Sequence, residues 1–180
     1  MRKNLNLGLI GIDHGHIFDM LDEMLKEGCT CYYFWTEGNP LTLQDFNKKY
    51  PNIKRVDNKS KILENDEIDM ILISSIPIDR AGLSIEALKS GKDVMVDKPG
   101  CTTLDQLNDL KQTVKDTGKS GELGFLKLRY KLPGEKESKL IETPILDKKS
   151  EATSDAKFSA AIAGFGQLLR GDTKYLGNWS

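Results

Sequence analysis

Three cysteines, Cys29, Cys31 and Cys101, are all that this chain of 180 residues contains, an odd number without the spacing of a zinc site. A complete disulfide framework is excluded by that count, and the three read as small buried hydrophobes in a reducing cytoplasm. Histidine is scarcer still. His14 and His16 are the only two, and no cysteine or carboxylate cluster stands in register beside them, so helix capping or local hydrogen bonding is expected and a metal site is not. No apolar run approaches the roughly 18 residues needed to cross a bilayer. The longest, around Met70 to Ile78, is broken by serines and a proline. Met1 to Lys3 followed by Leu5 to Ile12 faintly imitates a signal peptide, but Asp13 and His14 cut the apolar stretch short and no small-residue cleavage site follows. An excess of charge is also absent, with 26 basic and 27 acidic side chains giving a net charge of −1. Neither a nucleic acid nor a membrane is therefore expected as a partner. There is no internal repeat.

What is present is an alternation of strand-like and helix-like segments over the first two thirds of the chain, the pattern of a parallel α/β sheet with helices on both faces. Leu5 to Ile12 reads as a first strand, and Ile17, Met20, Leu21, Met24 and Leu25 then recur at helical spacing. Cys29 to Trp35 is a second strand, followed by a polar helix through Phe46 and Tyr50 and a short outer strand at Ile53 to Val56. The continuous apolar run Ile68 to Ser74 has the character of a central strand buried on both faces. Ala81 to Lys89 predicts a helix stopped by Gly91, Asp93 to Val96 the next strand, and Leu104, Leu107, Leu110 and Val114 one face of a last helix. Thr102 or Thr103 caps that helix and Gly118 ends it.

Beyond Gly118 the pattern changes. Leu126, Leu128, Tyr130 and Leu132 alternate with Lys127, Arg129 and Lys131, which predicts a half-exposed strand, and Leu140 to Ile145 is its hairpin partner across the turn begun by Pro133 and Gly134. Asp147 to Ser154 reads as a charged linker. Phe158, Ala161, Ile162, Phe165, Leu168 and Leu169 then fall on one helical face. The expected division is a Rossmann-type domain at 1–118 and a hairpin-plus-helix appendage at 119–180, whose helix face favours self-association.

Candidate chemistry concentrates at three points. Gly8, Gly11, Asp13, His14 and Gly15 lie where the first strand turns into a helix, the place where a dinucleotide fold offers backbone N–H groups and a helix N-terminus to a pyrophosphate. A strict G-x-G-x-x-G starting at Gly11 would need glycines at Asp13 and His16, and the carboxylate of Asp13 would repel a phosphate unless turned away or paired. Glu37, just past the second strand, stands where an acid bonds the adenosine ribose, which favours NAD over NADP because a 2′-phosphate would be repelled. Lys98 follows a buried strand directly, at the sheet edge that lines the ligand crevice of such folds, and its ammonium suits bonding to a substrate hydroxyl while hydride moves.

The run Gly91 to Pro99, the strand Met70 to Ser74 with Pro77 after it, and the Ala87-Leu88 helix together resemble the core of the Gfo/Idh/MocA oxidoreductases. The likeness extends from Leu5 to Gly118 and is nearest to a branch with Asp-His-Gly-His, here Asp13 to His16, and Asp-Lys-Pro-Gly-Cys-Thr-Thr, here Asp97 to Thr103. The family's usual Glu-Lys-Pro thus has Asp97 for the glutamate, and Arg80 stands where many members have histidine. That resemblance implies a nicotinamide dinucleotide, NAD or NADP, at Gly8, Gly11 and Gly15, its ribose near Glu37, the loop Ser74 to Pro77 beside it, and Lys98 as the catalytic lysine. The implied reaction is hydride transfer between a sugar-like or polyol hydroxyl and nicotinamide.

The family's second domain, which completes the active site and the substrate pocket, has no counterpart in residues 119–180. Leu126 to Lys131, Ser138 to Pro144, Lys157 to Gly171 and Tyr175 to Asn178 instead resemble the C-terminal region of bacterial von Willebrand factor type A domain proteins, without the Asp-x-Ser-x-Ser metal-adhesion motif. The expectation is an oxidoreductase-type domain that is catalytically incomplete. Its competitors are a non-catalytic binding or assembly module and a fused or misassembled reading frame.

Overall fold

The computed structural model describes residues 5–119 together with the strands at 121–122, 127–130 and 139–142. Strand β1 (Asn6–Ile10) leads to helix α1 (His16–Lys26), β2 (Thr30–Trp35) to α2 (Leu43–Lys49), and β3 (Lys54–Arg55) to the short α3 (Ser60–Leu63). Then come β4 (Met70–Ile73), α4 (Pro77–Lys89), β5 (Asp93–Val96), α5 (Leu104–Thr117) and β6 (Gly121–Glu122). The six strands hydrogen-bond in the order β3-β2-β1-β4-β5-β6, and every pairing is parallel. This is the α/β architecture expected from the alternation. The sheet also gains a strand beyond Gly118, because β6 pairs with β5 through Val94 to Gly121 and Met95 to Glu122. A separate antiparallel pair, β7 (Lys127–Tyr130) and β8 (Lys139–Glu142), forms the expected hairpin, with Leu128 opposite Ile141. The predicted linker at 147–154 and the helix face of Phe158 to Leu169 lie outside the described residues.

Both faces of the sheet are covered, and the strands show it residue by residue. Along β4, Met70 and Leu72 join one core cluster with Leu7, Leu9, Met20, Phe34 and Phe46, whereas Ile71 and Ile73 join the other with Leu88, Val94, Val96 and Leu107. Successive side chains of a strand point to opposite faces, so a strand packed on both sides reads as an unbroken apolar run. Gly8 belongs to this packing. A Cβ there would lie 2.4 Å from Ile62 Cγ2, so the absent side chain lets α3 close on the sheet. Gly8 therefore serves the packing of the core, a duty the sequence reading did not assign to it.

The helix ends follow local chemistry. Of the two threonines considered as caps, Thr103 is the one that acts: its Oγ1 accepts the Gln106 N–H at 3.1 Å, and the Gln106 side chain accepts the Thr103 N–H in return. Gly118 ends α5 in the left-handed conformation. Helix α4 begins at Pro77, four residues ahead of the predicted start, because proline is well tolerated in a first turn whose N–H groups have no intrahelical partner. Cys29, Cys31 and Cys101 are all buried, and burial pushes the pKa of the Cys31 thiol up to about 12. No helix of the described residues is long and apolar enough to cross a membrane.

Candidate functional site

The strand order places the carboxyl ends of β1, β4 and β5 side by side, and the turns leaving them meet there. The Gly11 N–H donates to Trp35 O at 2.8 Å, the Ser74 N–H to Gly11 O at 3.1 Å and the His14 N–H to Ser74 O at 3.1 Å, so the turn after β1 is tied to both neighbouring strands. Gly11 has φ +78, and a Cβ on it would lie 2.5 Å from Ser75 Cβ and 2.9 Å from the Ser75 backbone. Only glycine fits. At Gly15, by contrast, nothing lies within 4 Å of the position a Cβ would take.

A cleft of about 650 Å³ opens from this turn, walled by Gly11, Asp13, Trp35, Glu37, Lys59 and Ser75, by exposed Ile76 and Ile78, and by α4 and α5 through Asp79, Glu86, Gln106 and Asp109. Of the residues singled out from the sequence it unites Gly11, Asp13 and Glu37. His14, Gly15, Ser74, Pro77 and Lys98 do not line it. Glu37 is exposed on a loop that Arg55 holds, the guanidinium donating to Thr36 O at 3.0 Å and Gly38 O at 2.5 Å. Buried Thr36 Oγ1 at the same strand end lacks a hydrogen-bond partner among the described residues, a polar atom of the kind that a ligand can satisfy. Trp35, Ile76 and Ile78 supply an apolar surface suited to a base. The Gly11 turn, the apolar wall and an exposed acid at the second strand's end fit a dinucleotide, and the acidity of the cleft opposes its phosphates. Burial raises the pKa of Asp13 from the usual carboxylate value, its own backbone N–H opposes that, and the charge of Asp79 adds to the rise.

Beside the cleft stands a cluster that the sequence reading did not assemble. Asp97, fully buried at the end of β5, receives Arg80 Nη2 at 2.9 Å. His14 Nδ1 lies 3.2 Å from Asp97 Oδ2 and His16 Nδ1 2.8 Å from Oδ1. The Lys98 N–H donates to Oδ1 at 2.7 Å, and Ser74 Oγ is 3.4 Å from Oδ2. Arg80 also donates through Nε to Ser75 O at 2.7 Å and through Nη1 to Lys98 O. Burial lowers the Arg80 pKa, and the Asp97 charge opposes that fall. Buried groups thus clamp the backbone of Lys98 while its side chain stays exposed. Arg80 was legible only as a departure from a family pattern, and Asp97 only as a mild substitution. The one sequence signal was a charged residue on the apolar side of an amphipathic helix.

A six-stranded parallel sheet in this order, with a glycine turn and a cleft at its carboxyl edge, defines a Rossmann-type dinucleotide-binding domain. The chain belongs to the Gfo/Idh/MocA oxidoreductase family with an NAD-binding Rossmann fold over residues 36–125, and to the family of the C-terminal region of the uncharacterized protein YfbK over residues 90–180. YfbK of Escherichia coli K12 is 45% identical over 62 residues, 34% of this chain and 11% of YfbK. A solved structure from Erwinia carotovora atroseptica SCRI1043, described as a candidate oxidoreductase, matches with a TM-score of 0.64 and 28% identity over 66% of this chain and 35% of its own. Biliverdin reductase of Synechocystis sp. PCC 6803, solved with biliverdin and NADP+, shares the fold, with a TM-score of 0.57 and 19% identity over 66% of this chain and 37% of its own. The chain therefore spans about a third of the length of these solved structures and 11% of YfbK.

Proposed function

We propose that this chain is the nucleotide-binding part of an oxidoreductase, taking NAD in preference to NADP, and that it is catalytically incomplete by itself. The observation that carries the reading is the cleft at the carboxyl edge of the sheet, where the side-chain-free Gly11 turn, an apolar wall and Glu37 converge. Gly11 and Gly15 would let the pyrophosphate approach backbone, with Asp13 and His14 flanking it, Glu37 would bond the ribose, and the Ser74 to Pro77 loop would border the nicotinamide end. When bound, the nicotinamide supplies hydride exchange. Lys98, its backbone held by Asp97 and Arg80, would donate a hydrogen bond to the hydroxyl of a sugar-like or polyol substrate. Incompleteness rests on residues 119–180, which fall within the match to the YfbK C-terminal family rather than to a substrate-holding domain, since turnover needs the substrate held in near-attack geometry. The buried thiols support a reducing cytoplasm as its place.

Titration calorimetry of the full chain with NAD and NADP tests the reading. NAD should bind with modest affinity and NADP about tenfold more weakly, because Glu37 opposes the extra phosphate. Glu37→Ser should narrow that gap, and Asp13→Asn should tighten both ligands by up to about tenfold. The Asp13 pKa is raised in the folded chain, so its stabilising contribution is present while it is protonated and is lost as pH rises through the folded value. The same titration at lower pH should accordingly strengthen binding. Equal or tighter binding of NADP would remove the role given to Glu37, and no binding of either at about millimolar concentration would remove the site.

With NAD saturating, a panel of sugars and polyols followed by NADH absorbance should show little or no turnover. Activity that vanishes in Lys98→Ala would confirm the lysine's role and refute the incompleteness.

A further inference from the structure

The two histidines and Asp97 carry more than the clamp on Lys98. His14 and His16 flank Gly15 where α1 begins, and Asp97 ends β5. The strand order β1-β4-β5 brings these two places together over the end of β4. One ligand-type atom from each of the three side chains lies within 4.8 Å of the other two. The imidazole rings approach edge to face with centroids 4.3 Å apart.

We propose that His14, His16 and Asp97 form a binding site for a divalent cation of borderline softness, with zinc the fitting ion. The reading does not rest on the dinucleotide site, although His14 borders both. Two nitrogens and one carboxylate oxygen are the donor set of three-ligand zinc sites, which keep a fourth position for water or substrate. Bonds of about 2.0–2.1 Å in a tetrahedral arrangement put ligand atoms about 3.3 Å apart. The spacing of His14 Nδ1 from Asp97 Oδ2, 3.2 Å, already matches that.

The polarity of the contacts argues the same way. His14 Nδ1 accepts the His16 N–H at 3.3 Å and at the same time faces a carboxylate oxygen. An imidazole nitrogen has one in-plane position, either a lone pair or a proton. As a lone pair it is turned against the carboxylate, an opposition that a cation between the two relieves by taking the lone pair in place of the long His16 N–H contact. Arg80 donates to Asp97 Oδ2 and the Lys98 N–H to Oδ1, as the outer partners of a metal-ligating carboxylate do, and together they fix its orientation. The Arg80 charge also weakens attraction for a dication, which points to micromolar rather than tighter binding. Access is open, with the His14 side chain 54% and the His16 side chain 30% exposed.

The test is titration of the chelator-treated full chain with zinc by calorimetry and with cobalt(II) by visible absorption. One equivalent should bind in the micromolar range. His14→Ala, at an exposed position that leaves the fold intact, and His16→Ala should each weaken binding at least about tenfold, with unchanged circular dichroism. Nitrogen-detected NMR should show both Nδ1 resonances shifting as zinc is added. Absence of binding at about 100 μM zinc, or binding unchanged in the His14→Ala, His16→Ala double variant, overturns the proposal. So does retention of both Nδ1 protons throughout the titration, which would mean that the cluster is held by histidine-to-aspartate hydrogen bonds alone.

Discussion

Arg80→Ala should lose about 3–5 kcal/mol of folding stability, the usual consequence of leaving a buried charge without its partner. Asp97 is 0% and Arg80 only 2% exposed at the side chain, so water cannot take the place of the guanidinium. The same substitution strips donors from the carbonyls of Ser75 and Lys98. A fall of roughly 10 °C or more in the melting temperature is expected. Arg80→Lys should restore little of it, since an ammonium cannot reproduce the planar fork that reaches a carboxylate and two carbonyls together. The double variant Arg80→Met, Asp97→Asn should recover part of the loss by removing both charges. Thermal melts followed by circular dichroism decide the matter, and an Arg80→Ala protein melting within about 2 °C of the parent would show that the pair is not the keystone of this corner.

Gly11→Ala has an expected cost of about 2–4 kcal/mol, the sum of a left-handed backbone and forced overpacking. The new methyl would meet Ser75 at Cβ, Cα and backbone N, all within 2.9 Å, and that backbone, two residues past β4, is held by Arg80 through the Ser75 carbonyl. Gly15→Ala is the matched control. Its Cβ enters open space and its backbone is already right-handed helical, so stability should change by no more than about 0.5 kcal/mol. Under the proposed function, Gly15→Ala should nevertheless weaken dinucleotide binding, because the open space is the approach kept for phosphate. Parallel melts and NAD titrations separate the two effects. A Gly11→Ala chain as stable as Gly15→Ala would refute the crowding argument.

The two substitutions bear on one design. The corner where β1, β4 and β5 end is assembled from a turn that tolerates no side chain at Gly11 and an ion pair that tolerates no vacancy. Around it lie Glu37 and Asp13 in the cleft and Lys98 at its border.

Much of this was legible in the residues themselves. The run Ile68 to Ser74 announced a strand buried on both faces, which the structure confines to Met70–Ile73, Asp93 to Val96 was bounded correctly, and Gly118 closed α5 as expected. Such features are local: a period of two or of 3.6, a cap three residues from its partner, or a glycine after the last turn is decided within a few neighbours along the chain. The choice between Thr102 and Thr103, the early start of α4 and the packing duty of Gly8 needed coordinates, because each depends on what the rest of the fold sets against it.

The alternation of apolar and polar residues determined the α/β class, the parallel sheet and the positions of its elements, since each element must bury a face of matching period. Tertiary structure alone decided the meeting of His14 and His16 with Asp97 and Arg80. His16 and Asp97 are 81 residues apart in sequence, and the absence of a ligand in register beside the histidines was the reason no metal was expected. Register along the chain carries no information about strand order. It is the order β1-β4-β5, set by how the covered sheet closes its two cores, that turns distant residues into neighbours at one edge.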